Sequence, residues 1–93
     1  MNIRILEQAI VDLENGRDFY QSQKHGLGDY FLDSIFADVE SLQLYVGTHQ
    51  KFFGFHRLLA KRFPFAIYYQ VTTEIQILRI LDCRALPQHA LLE

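Results

Sequence analysis

The groups able to meet an anion are gathered in the second half of this chain. Residues 47–93 hold six cations, Lys51, Arg57, Lys61, Arg62, Arg79 and Arg84, against Glu74, Asp82 and Glu93, a net charge of +3. Residues 1–46 hold Arg4, Arg17 and Lys24 against eight carboxylates, Glu7, Asp12, Glu14, Asp18, Asp29, Asp33, Asp38 and Glu40, a net charge of −5. The overall −2 therefore conceals two oppositely charged halves. An anionic partner would meet the second half, although a net acidic chain makes a poor general nucleic-acid binder. Other reactive residue types carry less. His25, His49, His56, His89 and Cys83 lack zinc-ligand spacing, so no metal is expected. Gly26 and Gly28 precede a helix without following a strand, which is not the setting of a phosphate-binding loop, and no cofactor is expected. Cys83 stands beside Arg84 with no partner base and reads as a small residue at a strand end.

Those cations must be positioned by strands. From Phe55 the hydrophobic period falls to two. Phe55–Lys61 reads as a strand, Phe63-Pro64 as a turn, Phe65–Val71 as a buried strand, Thr72-Thr73 as a tight connection, and Ile75–Leu81 as a last strand. Ile75, Ile77, Leu78, Ile80 and Leu81 make that last strand apolar on both faces, as expected of one that is central or covered twice. Tyr68 and Tyr69 should point to opposite faces, one into the core and one to the surface. Asp82–Pro87 leaves the sheet, and Gln88–Glu93 is a short tail.

The acidic half supplies the packing. Asn2–Leu6 alternates like a short first strand, and Glu7 to about Gln23 follows with Ile10, Leu13 and Tyr20 near helical spacing, interrupted by Gly16. His25-Gly26-Leu27-Gly28 is a break. Phe31, Ile35, Val39, Leu42 and Val46 then step by four, four, three and four, one face of a second helix, widened by Leu32 and Phe36. Asp29, Asp33, Asp38 and Glu40 fall outside that stripe. Two helices joined by a glycine turn should fold as a hairpin over one sheet face. Gly47–Gly54 reads as a loop in which Phe52 or Phe53 folds back on the core.

Ninety-three residues form one domain, 1–93, and 49% apolar content excludes disorder. There is no signal-peptide pattern and no stretch able to span a bilayer, and a single cysteine suits a reducing cytoplasm.

The order strand, two helices, three strands, with His56-Arg57-Leu58-Leu59, the hairpin Arg62-Phe63-Pro64-Phe65-Ala66-Ile67-Tyr68-Tyr69 and the exit Arg84-Ala85-Leu86-Pro87, resembles the RelE/ParE superfamily of bacterial type II toxins over nearly the whole chain. The resemblance implies an α+β fold, β-α-α-β-β-β, with a helical hairpin on a small, mostly antiparallel sheet. It also implies a toxin neutralised by a cognate antitoxin that wraps it as helix and strand. RelE-like members enter the ribosome and cleave mRNA, whereas ParE-like members poison DNA gyrase. A nuclease needs a general base, cations and a general acid in mutual reach. Arg57 and Arg84 match two of the family's cationic positions and His89 lies one residue from its C-terminal aromatic, but Leu59 and Ala66 replace a lysine and an arginine. The ParE-like reading, a binding toxin rather than an enzyme, asks for fewer residues. Its expected target-binding footprint is Arg57, Lys61, Arg62, Arg79 and Arg84, any of which could instead shield a sheet edge.

Overall fold

The computed structural model describes residues 1–84. The exit segment from residue 85 and His89 lie outside the described residues. Strand β1 (Ile3–Ile5) runs directly into helix α1 (Glu7–Gln23), followed by α2 (Leu27–Glu40), the single turn α3 (Leu42–Tyr45), and strands β2 (Lys51–Phe52), β3 (Phe55–Leu59), β4 (Phe65–Val71) and β5 (Ile75–Asp82). The sheet order is β1-β5-β4-β3-β2, with β1 parallel to β5 and every other pair antiparallel. This is the expected α+β hairpin-on-sheet architecture, with β5 inside the sheet as its two-sided apolar pattern required.

The core forms where the period-2 face of β4 and β5 meets the period-3.6 faces of the helices. Leu13 and Tyr20 of α1 and Phe31, Ile35, Val39 and Leu42 of the second helical segment pack on Phe65, Ile67, Tyr69, Ile75, Ile77 and Ile80. Gly16 does not weaken α1. It is buried against Phe31, where an added Cβ would lie 2.7 Å from the ring. Gly26 turns the chain between α1 and α2 with φ +86°, a backbone that favours glycine. Gly28 lies inside α2, where an added Cβ would meet the Arg17 carbonyl at 2.8 Å, so the glycines set how closely the helices approach.

Four local expectations are corrected. The second helix does not run unbroken to Val46: Ser41 turns its hydroxyl back to the Asp38 carbonyl, α2 stops at Glu40, and Val46 is half-buried beyond α3. Asp38, outside the apolar stripe, is nonetheless buried, its carboxylate accepting the Lys61 backbone N–H at 3.2 Å. Phe36 and Ile10 flank the core instead of joining it, at 45% and 46% exposure. Tyr68 and Tyr69 do point to opposite faces, but both are fully buried. A bulge at this pair sets Tyr68 against Arg79 and Tyr69 against Ile77. Tyr68 joins Ala66 and Leu81 in a second cluster, against which Phe52 and Phe55 pack. The expected 47–54 loop thus contains a strand, and Phe52 is the phenylalanine that folds back.

Candidate functional site

The five expected footprint cations do not form one free surface. Arg57, on β3 opposite Tyr68, faces away from the helices, and its guanidinium carbon sits 3.6 Å from the centre of the Phe52 ring. A guanidinium over an aromatic face keeps its charge while its rotamer is fixed. Lys61 and Arg62 are exposed in the β3–β4 turn, with no ion pair among the described residues. The turn is tied to the sheet end, since the Cys83 N–H donates to the Pro64 carbonyl at 2.7 Å.

Arg84 lies at that same end and is exposed. Its Nη2 and Nε donate to the two oxygens of Asp82 at 2.9 and 3.1 Å, and its Nη2 lies 3.4 Å from the Tyr20 hydroxyl. Arg84's hydrogen bond holds the Asp82 carboxyl below its ordinary range against the opposing effect of burial, and Asp82 in turn raises Arg84. Burial pushes the Tyr20 phenol up, with Arg84 working against it. Arg84 is thus oriented and carries its own counter-charge.

Arg79 is not a surface cation, which corrects its place in the footprint. Its Nε and Nη2 donate to the two carboxylate oxygens of Asp12 on α1 at 2.8 and 2.9 Å, and the pair is largely buried. The hydrogen bond that Arg79 donates to Asp12 raises the guanidinium further. The cause lies in the sheet. β1 pairs with β5 only as far as Ile77, and the Ile80 N–H beyond it donates to Asp12 Oδ2 at 2.9 Å. Asp12 takes the place of the missing strand partner, and Arg79 neutralises it.

Two of the three candidate nuclease residues can be placed. Arg57 and Arg84 are separated by two strands across the sheet and several residues along it, on the order of 15–20 Å between Cα atoms at ordinary strand spacings. Leu59 and Ala66 pair directly across β3 and β4, so the sheet row between them is apolar. Among the described residues, no three His, Cys, Asp or Glu side chains gather as a metal site, and no helix is long and apolar enough to cross a membrane.

A polar cluster that the residue pattern did not single out lies on the helix-facing side. The Tyr69 hydroxyl accepts the Gly47 N–H at 3.0 Å and lies 2.5 Å from His49 Nδ1, while His56 stacks on the Tyr69 ring and donates from Nδ1 to the His49 carbonyl at 2.6 Å. A neutral His49 can accept the phenol proton at Nδ1 while the phenol oxygen accepts the Gly47 N–H. Burial, and then His56, push His49 below its ordinary value. His49 and His56 stand seven residues apart with no recognised ligand spacing; the β2–β3 hairpin brings them together, and the β3–β4 register sets Tyr69 against His56.

The fold and this surface define a small α+β domain whose sheet presents a few oriented cations beside aromatic rings. No family model and no curated protein matches the sequence. Among solved structures, the chain is similar to one from a chromosomal ParDE TA system of P. aeruginosa, with 27% identity over 86% of this chain and 92% of that one and a TM-score of 0.70. Together with the element order and sheet topology, this likeness supports a ParE-like fold of the RelE/ParE superfamily.

Proposed function

We propose that this protein is the toxin of a bacterial type II toxin–antitoxin pair, acting in the cytoplasm. It arrests growth by binding DNA gyrase and is neutralised by a cognate antitoxin. The observation that carries the reading is the likeness, over most of both chains, to the ParDE chain. Binding is favoured over mRNA cleavage by the apolar Leu59–Ala66 row and by the separation of Arg57 from Arg84. Arg57, Lys61, Arg62 and Arg84 are the residues assigned to the target, with the Asp82-held Arg84 and the Phe52-stacked Arg57 as its oriented members.

The test is pulse labelling of DNA and protein synthesis in the first minutes after induction of this chain alone. DNA synthesis is expected to fall first, with DNA-damage signalling. Protein synthesis falling first would replace this reading with a ribosome-dependent nuclease, and no fall in either would make the chain an inert antitoxin binder. Arg57→Ala combined with Arg84→Ala is expected to relieve arrest at unchanged expression. Full arrest by that double variant would refute the residue assignment.

A further inference from the structure

The turn that joins β2 to β3 consists of Phe53 and Gly54, set between the paired Phe52 and Phe55. Both turn residues are left-handed, at φ +57° and +87°. A two-residue hairpin asks for positive φ at both positions because that twist matches the strands, and Asn-Gly supplies it with little strain. Gly54 meets the demand freely. Phe53 does not, since a Cβ is crowded by the following carbonyl in this conformation and a bulky side chain is an outlier there. Among the described residues it is the one non-glycine with positive φ. Phe53 is also 52% exposed, so burial offsets that strain only in part. Strain of this kind gathers at contact and switch sites.

The neighbours of Phe53 say what it could contact. Phe52 packs on the cluster of Ala66, Tyr68 and Leu81, on the face away from the helices, whereas Phe53 stays at its rim with its ring centre 6.5 Å from that of Tyr68. Arg57 borders the same tyrosine across the β3–β4 pairing, held over the Phe52 ring. Leu59, two residues along β3 and opposite Ala66, shares that face at 55% exposure. The strip thus presents an aromatic ring, a cation with no ion pair among the described residues, and an aliphatic side chain. Aromatic residues and arginine are the types enriched at the centres of protein interfaces.

We propose that Phe53 is the anchor by which the sheet side grips its protein target, its ring filling an apolar pocket of the partner while Arg57 meets a carboxylate at the pocket's rim. The partner is DNA gyrase, so the proposal rests on the reading above and adds to it the side chain that carries the contact. The tight turn fixes the ring's direction before contact, which lowers the ordering cost of binding. A nucleic-acid strand would ask for a track of cations, and this strip carries one.

The test reads stability and binding in the same variants. Phe53→Asn gives the turn its preferred Asn-Gly pair, and Phe53→Tyr keeps a ring at the tip. In thermal unfolding followed by circular dichroism, Phe53→Asn should melt above the parent or within about 4 °C of it, since relief of the backbone offsets the lost contact with Tyr68. Each chain is then titrated by biolayer interferometry against immobilised gyrase holoenzyme with no DNA present. The parent should bind, Phe53→Asn should bind roughly tenfold or more weakly, and Phe53→Tyr should stay within about threefold of the parent. Growth arrest after induction should follow the same order. Binding by the parent matched by Phe53→Asn would overturn the proposal and leave the gyrase reading standing, whereas no binding by the parent would overturn both. A fall in Tm of more than about 4 °C in Phe53→Asn would assign the ring to the fold and overturn the proposal. So would self-association of the parent in sedimentation that Phe53→Asn abolishes, since the occupant would then be a second copy.

Discussion

Removing the Asp12 carboxylate tests the reading of the β5 edge most directly. In Asp12→Ala, Arg79 loses both of its bonds to the carboxylate and the Ile80 N–H loses its acceptor. The Asp12 and Arg79 side chains are only 9% and 18% exposed, so water replaces the carboxylate incompletely. Breaking a buried pair by deleting one partner costs about 3–5 kcal/mol, because the surviving charge stays desolvated. Arg79's residual exposure places the expectation at the lower end, about 3 kcal/mol. A domain of this size has about 5–15 kcal/mol in total, and a loss of that size lowers Tm by roughly 12–24 °C at about 4–8 °C per kcal/mol. Asp12→Asn keeps an acceptor for Ile80 and should cost less. The double variant Asp12→Leu with Arg79→Leu removes both charges and should recover much of the loss. Urea unfolding followed by circular dichroism reads all three variants. If Asp12→Ala costs under about 1 kcal/mol, the range of an exposed surface pair, the pair does not hold α1 to the sheet edge and the reasoning fails.

Two further perturbations follow from the packing and the histidine cluster. Gly16→Ala would gain up to about 1 kcal/mol of helix propensity but would place a Cβ 2.7 Å from the buried Phe31 ring. Overpacking costs about 1–3 kcal/mol, so Tm should fall, and a rise would show that Phe31 can move aside. His49 is lowered in the fold, so below its unfolded value of about 6.5 the unfolded chain takes the proton more readily. Its contribution is therefore fully present above that pH and is lost as pH falls through the folded value. Stability measured from pH 7.5 down to 5 should decline for the parent and decline less for His49→Gln, and identical slopes would exclude His49 as the source.

The architecture was legible because it rests on period. The steps of four and three from Phe31 to Leu42 and the alternation through Phe65–Val71 each specify a buried face, and both elements formed there. Boundaries failed where a single polar contact overrode the period, as at Ser41 and Asp38. The footprint was legible only as charge. Sequence shows Arg79 as a strand cation, but its partner stands 67 residues away and is chosen by where β1 ends, a tertiary fact with no local signal. The same holds for Asp12, whose position on α1 resembles any solvated helix carboxylate. The expectation of one surface tyrosine in the Tyr68-Tyr69 pair fails because the second sheet face has its own cluster, against which Phe52 and Phe55 pack.

The division of charge along the chain becomes, in the fold, a difference in availability. In the basic half, Arg79 is neutralised by Asp12, Arg84 by Asp82, and Arg57 is fixed against a ring, which leaves Lys61 and Arg62 as exposed cations of the footprint without an ion pair among the described residues. In the acidic half, Arg17 is paired with Asp18 and Asp29, while Glu7, Glu14, Asp33 and Glu40 have no ion pair among the described residues. Long-range steering follows unpaired charge rather than residue counts. On the proposed reading, the sheet arginines are oriented and partly compensated, so what they contribute to a target depends on contact geometry more than on long-range attraction.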